Sequence, residues 1–506
     1  MSEWWRDAVI YQVYPKSFAD WNGDGIGDLP GVRDRLPYLR DLGVDAVWLS
    51  PFYRSPQVDG GYDVSDYRDV DPMFGTLADF DALLVRAHGL GLRVIVDLVP
   101  NHSSSEHPWF VEALAADPGC AERDRYVFRE GRDGQPPNDW ESVFGGPAWT
   151  RTDDGQWYLH LFDPAQPDFN WRNVDVRAEF ESILRFWLDR GVDGFRVDVA
   201  HGMAKADGLP DVGHGNQISL LGNGVLPYFD QDAVHDIYKS WRKILDSYPG
   251  ERMAVAEAWA TSPERLARYV APDELHQAFN FDYLAADWSA PALRSVIDDS
   301  LSTMDPMGAP ATWVLSNHDK PRHVTRYGGI RRARAAILLM LALPGSAYVY
   351  QGEELGLPEV LDLPDEVLQD PVWRRSGYTD RGRDGCRVPI PWSGDEPSYG
   401  FGPAGCWLPQ PAAWRELSVR AQLSDPASML RLYRTAIALR RGFSGGLEWL
   451  DSPPDTLVLR RSSGLVCAVN FSSAPVALPH GYGDVICSSI PLPDGVLPPD
   501  AAAWLA

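Results

Sequence analysis

Two opposite charges stand two residues apart in an apolar run: Arg196 and Asp198, within Gly194-Phe195-Arg196-Val197-Asp198-Val199-Ala200-His201. Val192, Phe195, Val197 and Val199 make the run strand-like, and Gly191 and Gly194 punctuate its start. In an extended strand, residues two apart share a face. Burying a charge is costly unless it is paired. The pair is therefore either a structural ion pair or a carboxylate held ionised and aimed by the arginine, which suits a nucleophile. The octapeptide alone does not choose between them.

Other chemistry-bearing residues fall at matching places. Glu257 stands near the end of MAVAEAW (residues 253–259), and Asp319 ends TWVLSNHD (residues 312–319). His102 follows LRVIVDLVP (residues 92–100), and His318 precedes Asp319. Each belongs to the C-terminal end of a different strand-like run. Convergent carboxylates suit glycosidic-bond cleavage: one acid protonates the leaving oxygen while another carboxylate attacks or aims water. No H-E-x-x-H, G-x-S-x-G, P-loop or dinucleotide fingerprint competes.

A second motif is Asp20-Trp21-Asn22-Gly23-Asp24-Gly25-Ile26-Gly27-Asp28. Oxygen side chains at positions 1, 3, 5 and 9, a Gly at 6 and the Ile26 carbonyl at 7 match the first part of a calcium loop. Gly31 stands where an EF-hand has its closing Glu. A structural Ca2+ is the expected occupant, with Mg2+ the alternative; the bland reading is an acidic, Gly-rich turn.

The elements that must carry these groups alternate along the chain. Strand-like runs cover residues 8–18, 46–51, 92–100, 192–199, 253–259, 276–283, 312–319 and 346–351. Helical patterns lie between them: residues 31–42 stopped by Gly43, residues 76–89 capped by Thr76 with Asp79, a helix capped by Asp175, and residues 330–343. Eight such units predict an α/β fold, a (β/α)8 TIM barrel with its polar residues at the C-terminal strand ends. Residues 1–102 are its first part and 172–442 its second. Residues 103–171 break the rhythm and read as a small domain inserted after strand 3. Residues 358–411 form a lid-like excursion rich in Pro and Trp. A last helix begins at Asp425-Pro426, and residues 443–506 read as a C-terminal β-sandwich-like domain.

Composition narrows the partners. The 506-residue chain has a net charge of −25, which argues against nucleic acid or an anionic membrane. No run of 18 apolar residues predicts a membrane span. The N-terminus lacks a basic head before an apolar run, so no signal peptide is expected. Five scattered cysteines favour a reduced, cytoplasmic setting.

The motifs in combination resemble the α-glucosidases of the α-amylase family of glycoside hydrolases, most like the oligo-1,6-glucosidase type. Those motifs are Asp97-Leu98-Val99-Pro100-Asn101-His102, GFRVDVAH, Ala256-Glu257-Ala258-Trp259, Ser316-Asn317-His318-Asp319, and Gln166-Pro167-Asp168-Phe169-Asn170, which is similar to QPDLN. The resemblance covers nearly the whole chain. It implies a retaining mechanism with Asp198 as nucleophile, Glu257 as acid then base, and Asp319 holding glucosyl hydroxyls. Asp198 would be ionised and held low by Arg196. Asp59 and Arg387 would close the glucose pocket; Tyr62, His102, Phe162 and His318 would touch the sugar; Phe144 and Arg383 would lie near the entrance. Phe144 and Phe162 read equally well as core. Asp20, Asn22, Asp24, Ile26 and Asp28 match the family's calcium loop. Val199 after the nucleophile resembles isomaltose cleavers, so α-1,6 as well as α-1,4 bonds are expected substrates. Maltose, isomaltose or sucrose would be ligands, and the protein a monomer or weak homo-oligomer. Glucosyl transferases and isomerases share every catalytic residue; a non-catalytic relative would have lost the carboxylates.

Overall fold

The computed structural model describes residues 3–493 and 495–506. Eight parallel strands form one sheet: β1 (Val9–Val13), β2 (Ala46–Leu49), β3 (Arg93–Leu98), β4 (Gly194–Val197), β5 (Met253–Ala256), β6 (Gln277–Ala278), β7 (Thr312–Val314) and β8 (Ser346–Tyr350). Their order is β6-β5-β4-β3-β2-β1-β8-β7, so the sheet curls until β6 meets β7. No backbone ladder joins those two among the described residues. The Thr312 hydroxyl donates instead to the Ala278 carbonyl at 2.6 Å, sewing the seam of a (β/α)8 barrel with a side chain.

The two-residue period of the strands decides what faces where. Ile10, Trp48, Ile95, Val255 and Tyr348 fill the barrel, whereas Val9, Val47, Val94, Phe195 and Ala254 meet the surrounding helices. Asp97 on β3 and Arg196 on β4 are register partners, so the filling turns charged towards the C-terminal ends. Gly194 is required here: a Cβ would lie 2.8 Å from the Met253 carbonyl oxygen on β5.

Every expected strand is present but shorter, because the apolar runs continue into the loops that hold the site. The largest difference is at residues 276–283. The ladder ends at Ala278, Asn280 accepts from the Tyr283 N–H, and a helix Phe281–Ala285 begins. Phe279 and Phe281 are apolar because they plug the barrel, not because they are strand.

The helices obey local capping chemistry. Asp28 accepts from the Gly31 N–H and starts Leu29–Leu42, which ends at Gly43 with φ 98°. Thr76 and Asp79 form the full capping box of Leu77–Gly89. Two expected caps shift by a few residues. Asn173, not Asp175, caps Val174–Asp189, and Ser428, not Asp425, caps Met429–Arg440. In both cases a neighbouring polar residue offers the same chemistry, two positions before the expected cap in the first and three after it in the second.

Between β3 and β4, residues 103–171 carry a helix Pro108–Ala115 and a three-stranded antiparallel sheet of Phe128–Glu130, Gln156–Leu159 and Trp149–Arg151. Trp140, Trp149 and Leu161 share a core with Val199, Leu226 and Phe229 from the segment after β4. The insertion therefore packs on the loop that follows Asp198. At the C-terminus, Leu447–Trp449, Thr456–Arg461, Val466–Asn470, Ala501–Leu505 and Val485–Ser488 pair in that order as an antiparallel sheet, beside a separate pair, Val476–Ala477 with Val496–Leu497. Trp504 donates to the Leu338 carbonyl at 3.0 Å, docking this sheet on the barrel helix Ile330–Ala342.

One buried acid sets an alkaline limit on the fold. Glu353 is 1% exposed, and among the described residues its carboxylate accepts only from the Tyr350 N–H and the Tyr433 hydroxyl. Burial pushes its carboxyl from 4.5 up to about 8. A folded value above the unfolded one means stability that is present below 4.5 and is lost as pH rises towards 8. Glu353→Gln is expected to flatten this alkaline decline in urea-melt stability measured between pH 5 and pH 9.

Candidate active site

Asp198 and Glu257 are each the first residue after their strand, tied into the sheet by backbone bonds to the Leu98 and Val197 carbonyls at 2.8 and 2.9 Å. Their carboxylates share one guanidinium. Arg196 Nη1 donates to Asp198 Oδ1 at 2.6 Å and to Asp97 Oδ1 at 2.7 Å, while its Nη2 lies 2.9 Å from Glu257 Oε2. The Arg196–Asp198 pair is a buried ion pair, and it fixes the orientation of the Asp198 carboxylate. Among the described residues no donor reaches Asp198 Oδ2, which leaves that oxygen for a ligand.

Glu257 is gripped a second time. Its Oε2 accepts from the Val199 N–H at 2.9 Å. Val199 adopts φ 44°, a left-handed conformation that is strained for a β-branched residue. The left-handed turn points the Val199 N–H, next after Asp198, towards Glu257 at the end of the neighbouring strand.

Electrostatics corrects one expectation. Burial pushes the Asp198 carboxyl well above the usual range; Arg196 opposes this, and Glu257, Asp97 and Asp319 add to it. One cation faces three buried carboxylates, so it cannot hold Asp198 low by itself. Asp97 is likewise pushed up to about 6 by burial, against the pull of Arg196.

Asp319 behaves oppositely. Burial would raise it, but the charges around it hold it well below the ordinary carboxylate range. Arg383 Nη1 and Arg387 Nη2 both donate to its Oδ1, at 3.0 and 3.1 Å. Burial takes His318 down to about 3, and the neighbours that hold Asp319 low are His318 first, then Arg383, Arg387 and Arg196. Gln12 Nε2 donates to His318 Nδ1 at 2.7 Å, and the Tyr62 hydroxyl, donating to Asp97 at 3.2 Å, lies 2.7 Å from His318 Nε2. That chain of donors fixes the Nε2–H tautomer, with His318 Nε2 3.3 Å from Asp319 Oδ2.

The bridge to Asp59 is made by Arg383, where Arg387 was expected. Arg383 is not at the entrance: its Nη2 donates to Asp59 Oδ1 at 2.6 Å, so it bridges Asp59 and Asp319. Arg387 lies behind Asp319, 2% exposed, with Nε donating to the His318 carbonyl and its guanidinium over the Tyr14 ring. The four-residue spacing of the two arginines gave no means of telling which reached Asp59. Phe144 and Phe162 pack edge to face at 5.5 Å between ring centres, Phe162 beside His102 and Phe144 beneath the Arg383 guanidinium.

Together Asp59, Tyr62, His102, Asp198, Glu257 and Asp319 line a pocket of about 290 Å³. That is near the small end of small-molecule sites (~300–1,000 Å³). The sequence did not single out Gln166, whose Nε2 donates to Asp59 Oδ2 and lies 3.1 Å from His102 Nε2. Its QPDFN motif was the available signal. His201, last of the opening octapeptide, is 2% exposed in the pocket wall, and neither ring nitrogen has a partner among the described residues.

The Asp20–Asp28 loop lies apart from this pocket. Asp20 accepts from the Gly23 and Gly25 N–H groups, Asn22 from Asp24, Asp24 from Ile26, and Asp28 from Trp21, Asn22 and Gly31. Among the described residues no three His, Cys, Asp or Glu side chains gather as a metal cluster. The donors are nonetheless all oxygens, and each that accepts one N–H keeps a second lone pair, so the set fits a hard cation.

Residues 12–444 match the family model described as alpha amylase, catalytic domain, and residues 444–504 match a domain of unknown function, DUF3459. The chain belongs to the α-amylase family. A probable α-glucosidase of Rhizobium meliloti is 41% identical over 502 residues, 93% of this chain and 90% of that one. An oligo-1,6-glucosidase of Parageobacillus thermoglucosidasius is 38% identical, covering 87% and 84%. The crystal structure of the α-glucosyl transfer enzyme XgtA superposes with a TM-score of 0.89 at 39% identity over the whole of both chains. As a member of the α-amylase family with such relatives, the protein is a glycoside hydrolase. No helix among the described residues is long and apolar enough to cross a membrane.

Proposed function

We propose that the protein is a retaining, exo-acting α-glucosidase that removes terminal glucose from short oligosaccharides through α-1,4 and α-1,6 bonds. The observation that carries this reading is the shared guanidinium. Holding Asp198 and Glu257 on two nitrogens of Arg196 draws them together, which supports the short carboxylate spacing of retaining enzymes (~5 Å) over the wide spacing of inverting ones (~6.5–9.5 Å).

The chemistry then follows atom by atom. Glu257 gives its proton to the glycosidic oxygen while Asp198 Oδ2 attacks C1. The C1–oxygen bond breaks, a C1–Asp198 ester forms, and the alcohol departs. Water next attacks C1, its proton passes to Glu257, and Asp198 leaves as carboxylate. Asp319, kept ionised by His318 and its arginines, accepts from ring hydroxyls and stabilises positive charge at C1. Asp59 and Arg383 close the far end, which supports one glucose per cut. Asp20, Asn22, Asp24, Ile26 and Asp28 would hold Ca2+, which would neutralise the loop and brace the start of Leu29–Leu42 without touching the reaction. Chelation is expected to lower the Tm by several degrees, restored by added Ca2+; an unchanged Tm removes the ion from the reading. Five free thiols, three of them buried, support a reducing compartment.

The test is a time course on maltose, isomaltose, sucrose and trehalose with anomer detection. α-Glucose should appear first, with isomaltose turned over. β-Glucose appearing first overturns retention, and an inert isomaltose removes the α-1,6 activity. The likeness to XgtA favours one second reading, glucosyl transfer, which would give new glucosides in place of free glucose.

A further inference from the structure

The chain as a whole is acidic, with 71 Asp and Glu against 46 Lys and Arg, yet one cleft reverses the balance. It lies between the inserted strand Phe128–Glu130 and the barrel helices Val174–Asp189 and Val234–Asp246. Two adjoining chambers, of about 280 and 310 Å³, share Arg129, Arg172 and Leu209. Arg132 stands in the first, Arg177 and Lys205 in the second. Among the described residues the only acids in the walls are Glu130 and Asp207.

Three of the five cations are committed. Lys205 Nζ lies 2.8 Å from Asp168 Oδ2, Arg132 Nη1 lies 3.1 Å from Asp211 Oδ2, and Arg172 pairs with Asp207. The last pair sits in water, its side chains 64% and 87% exposed, where an ion pair is weak. Arg129 and Arg177 make no ion pair among the described residues. Arg129 Nη1 donates to the Phe128 carbonyl at 2.6 Å, and Arg177 Nε to the Trp171 carbonyl at 2.8 Å; their other donors are left over. Burial first, and then Arg172, pull Arg129 below the ordinary arginine range, against the opposing pull of Asp124.

We propose that this cleft binds a small phosphate monoester, its phosphate on Arg129 and Arg177 and its organic part in the second chamber. Two unpaired guanidinium charges call for two negative charges, which a phosphate monoester carries near neutral pH and a carboxylate does not. Its oxygens accept from several guanidinium N–H groups at once, the geometry in which arginine binds best. Beside the cations the second chamber offers Val127, Phe169, Met203 and Ile237 together with Asn170, a mixed lining suited to a compact organic group. A nucleic-acid strand would meet the net charge of −25 outside these walls.

Calorimetric titration at low ionic strength tests this, with glucose 6-phosphate and inorganic phosphate as probes and sodium chloride at matched ionic strength as the control. Glucose 6-phosphate should bind at a single site, about three-fold or more tighter than inorganic phosphate, because only the ester reaches into the chamber. Arg129→Gln should weaken binding about ten-fold or more, the scale of a lost charge-assisted hydrogen bond. Asp207→Asn, which removes a competing carboxylate, should tighten it about two-fold or more. Opposite signs from two substitutions in one cleft exclude a damaged fold as the cause. No heat beyond the chloride control, binding that survives Arg129→Gln, or inorganic phosphate binding as well as its ester overturns the inference. So does displacement by glucose, which would place the ligand beside Asp198 instead.

Discussion

Asp198→Asn is expected to lower kcat on maltose by roughly 10⁴-fold or more, the usual scale for loss of a covalent nucleophile, while leaving urea-melt stability unchanged or slightly improved. The two halves of this result have separate causes. Turnover falls because Asp198 Oδ2 is the attacking oxygen of the proposed mechanism, and an amide in its place is a far weaker nucleophile. Stability holds because burial disfavours the Asp198 charge, and its removal leaves Arg196 still paired with Asp97 and Glu257. The companion variant Asp198→Ala should regain turnover of an activated aryl α-glucoside when azide is added, giving the β-glucosyl azide. Normal turnover by Asp198→Asn, or an α-configured azide product, would sink the nucleophile assignment.

Arg196→Met should act the other way round, on the fold first. Methionine can fill the space, but the guanidinium is the cation shared by Asp97, Asp198 and Glu257. Removing one partner of a buried ion cluster costs about 3–5 kcal/mol. The deficit should be largest at neutral pH and shrink as pH falls, because protonated carboxylates no longer need a cation. The sign follows from linkage: Asp97 is already raised to about 6, and losing Arg196 raises it further, so the stability it withdraws grows between about pH 4 and the new folded value. A urea-melt deficit under about 1 kcal/mol at pH 7, or one that does not shrink on acidification, would show that Arg196 does not neutralise the cluster.

Much of the architecture was legible because barrels repeat. Eight apolar runs alternating with capped helices leave few other folds, and the strand ends identify themselves by carrying charge where apolar residues would otherwise continue. Asp198, Glu257, Asp319, His102, Tyr62 and Asp59 could all be named in advance, and the chain does bring them around one hollow. What the sequence withheld was everything fixed by three-dimensional neighbours. Arg383 and Arg387 differ only in which side of Asp319 they approach, and that depends on the path of the whole 358–411 excursion. Asp198 has a cation two residues away but also three carboxylates from other strands, which spacing within one strand cannot reveal. The aromatic segment after β6 reads as strand because plugging a barrel and lining a sheet call for the same side chains.

Val199 links shape to chemistry in a way that bears on enzyme engineering. Its amide N–H donates to Glu257, the proton donor of the proposed mechanism, while its side chain lines the pocket. Any residue exchanged there to retune which bond is cut also changes how readily the main chain tolerates a left-handed twist, and so where the donor points. Libraries built at this position will therefore report a mixture of two effects. Only a comparison of pH–rate profiles among the variants will tell a reshaped cavity from a misaimed acid.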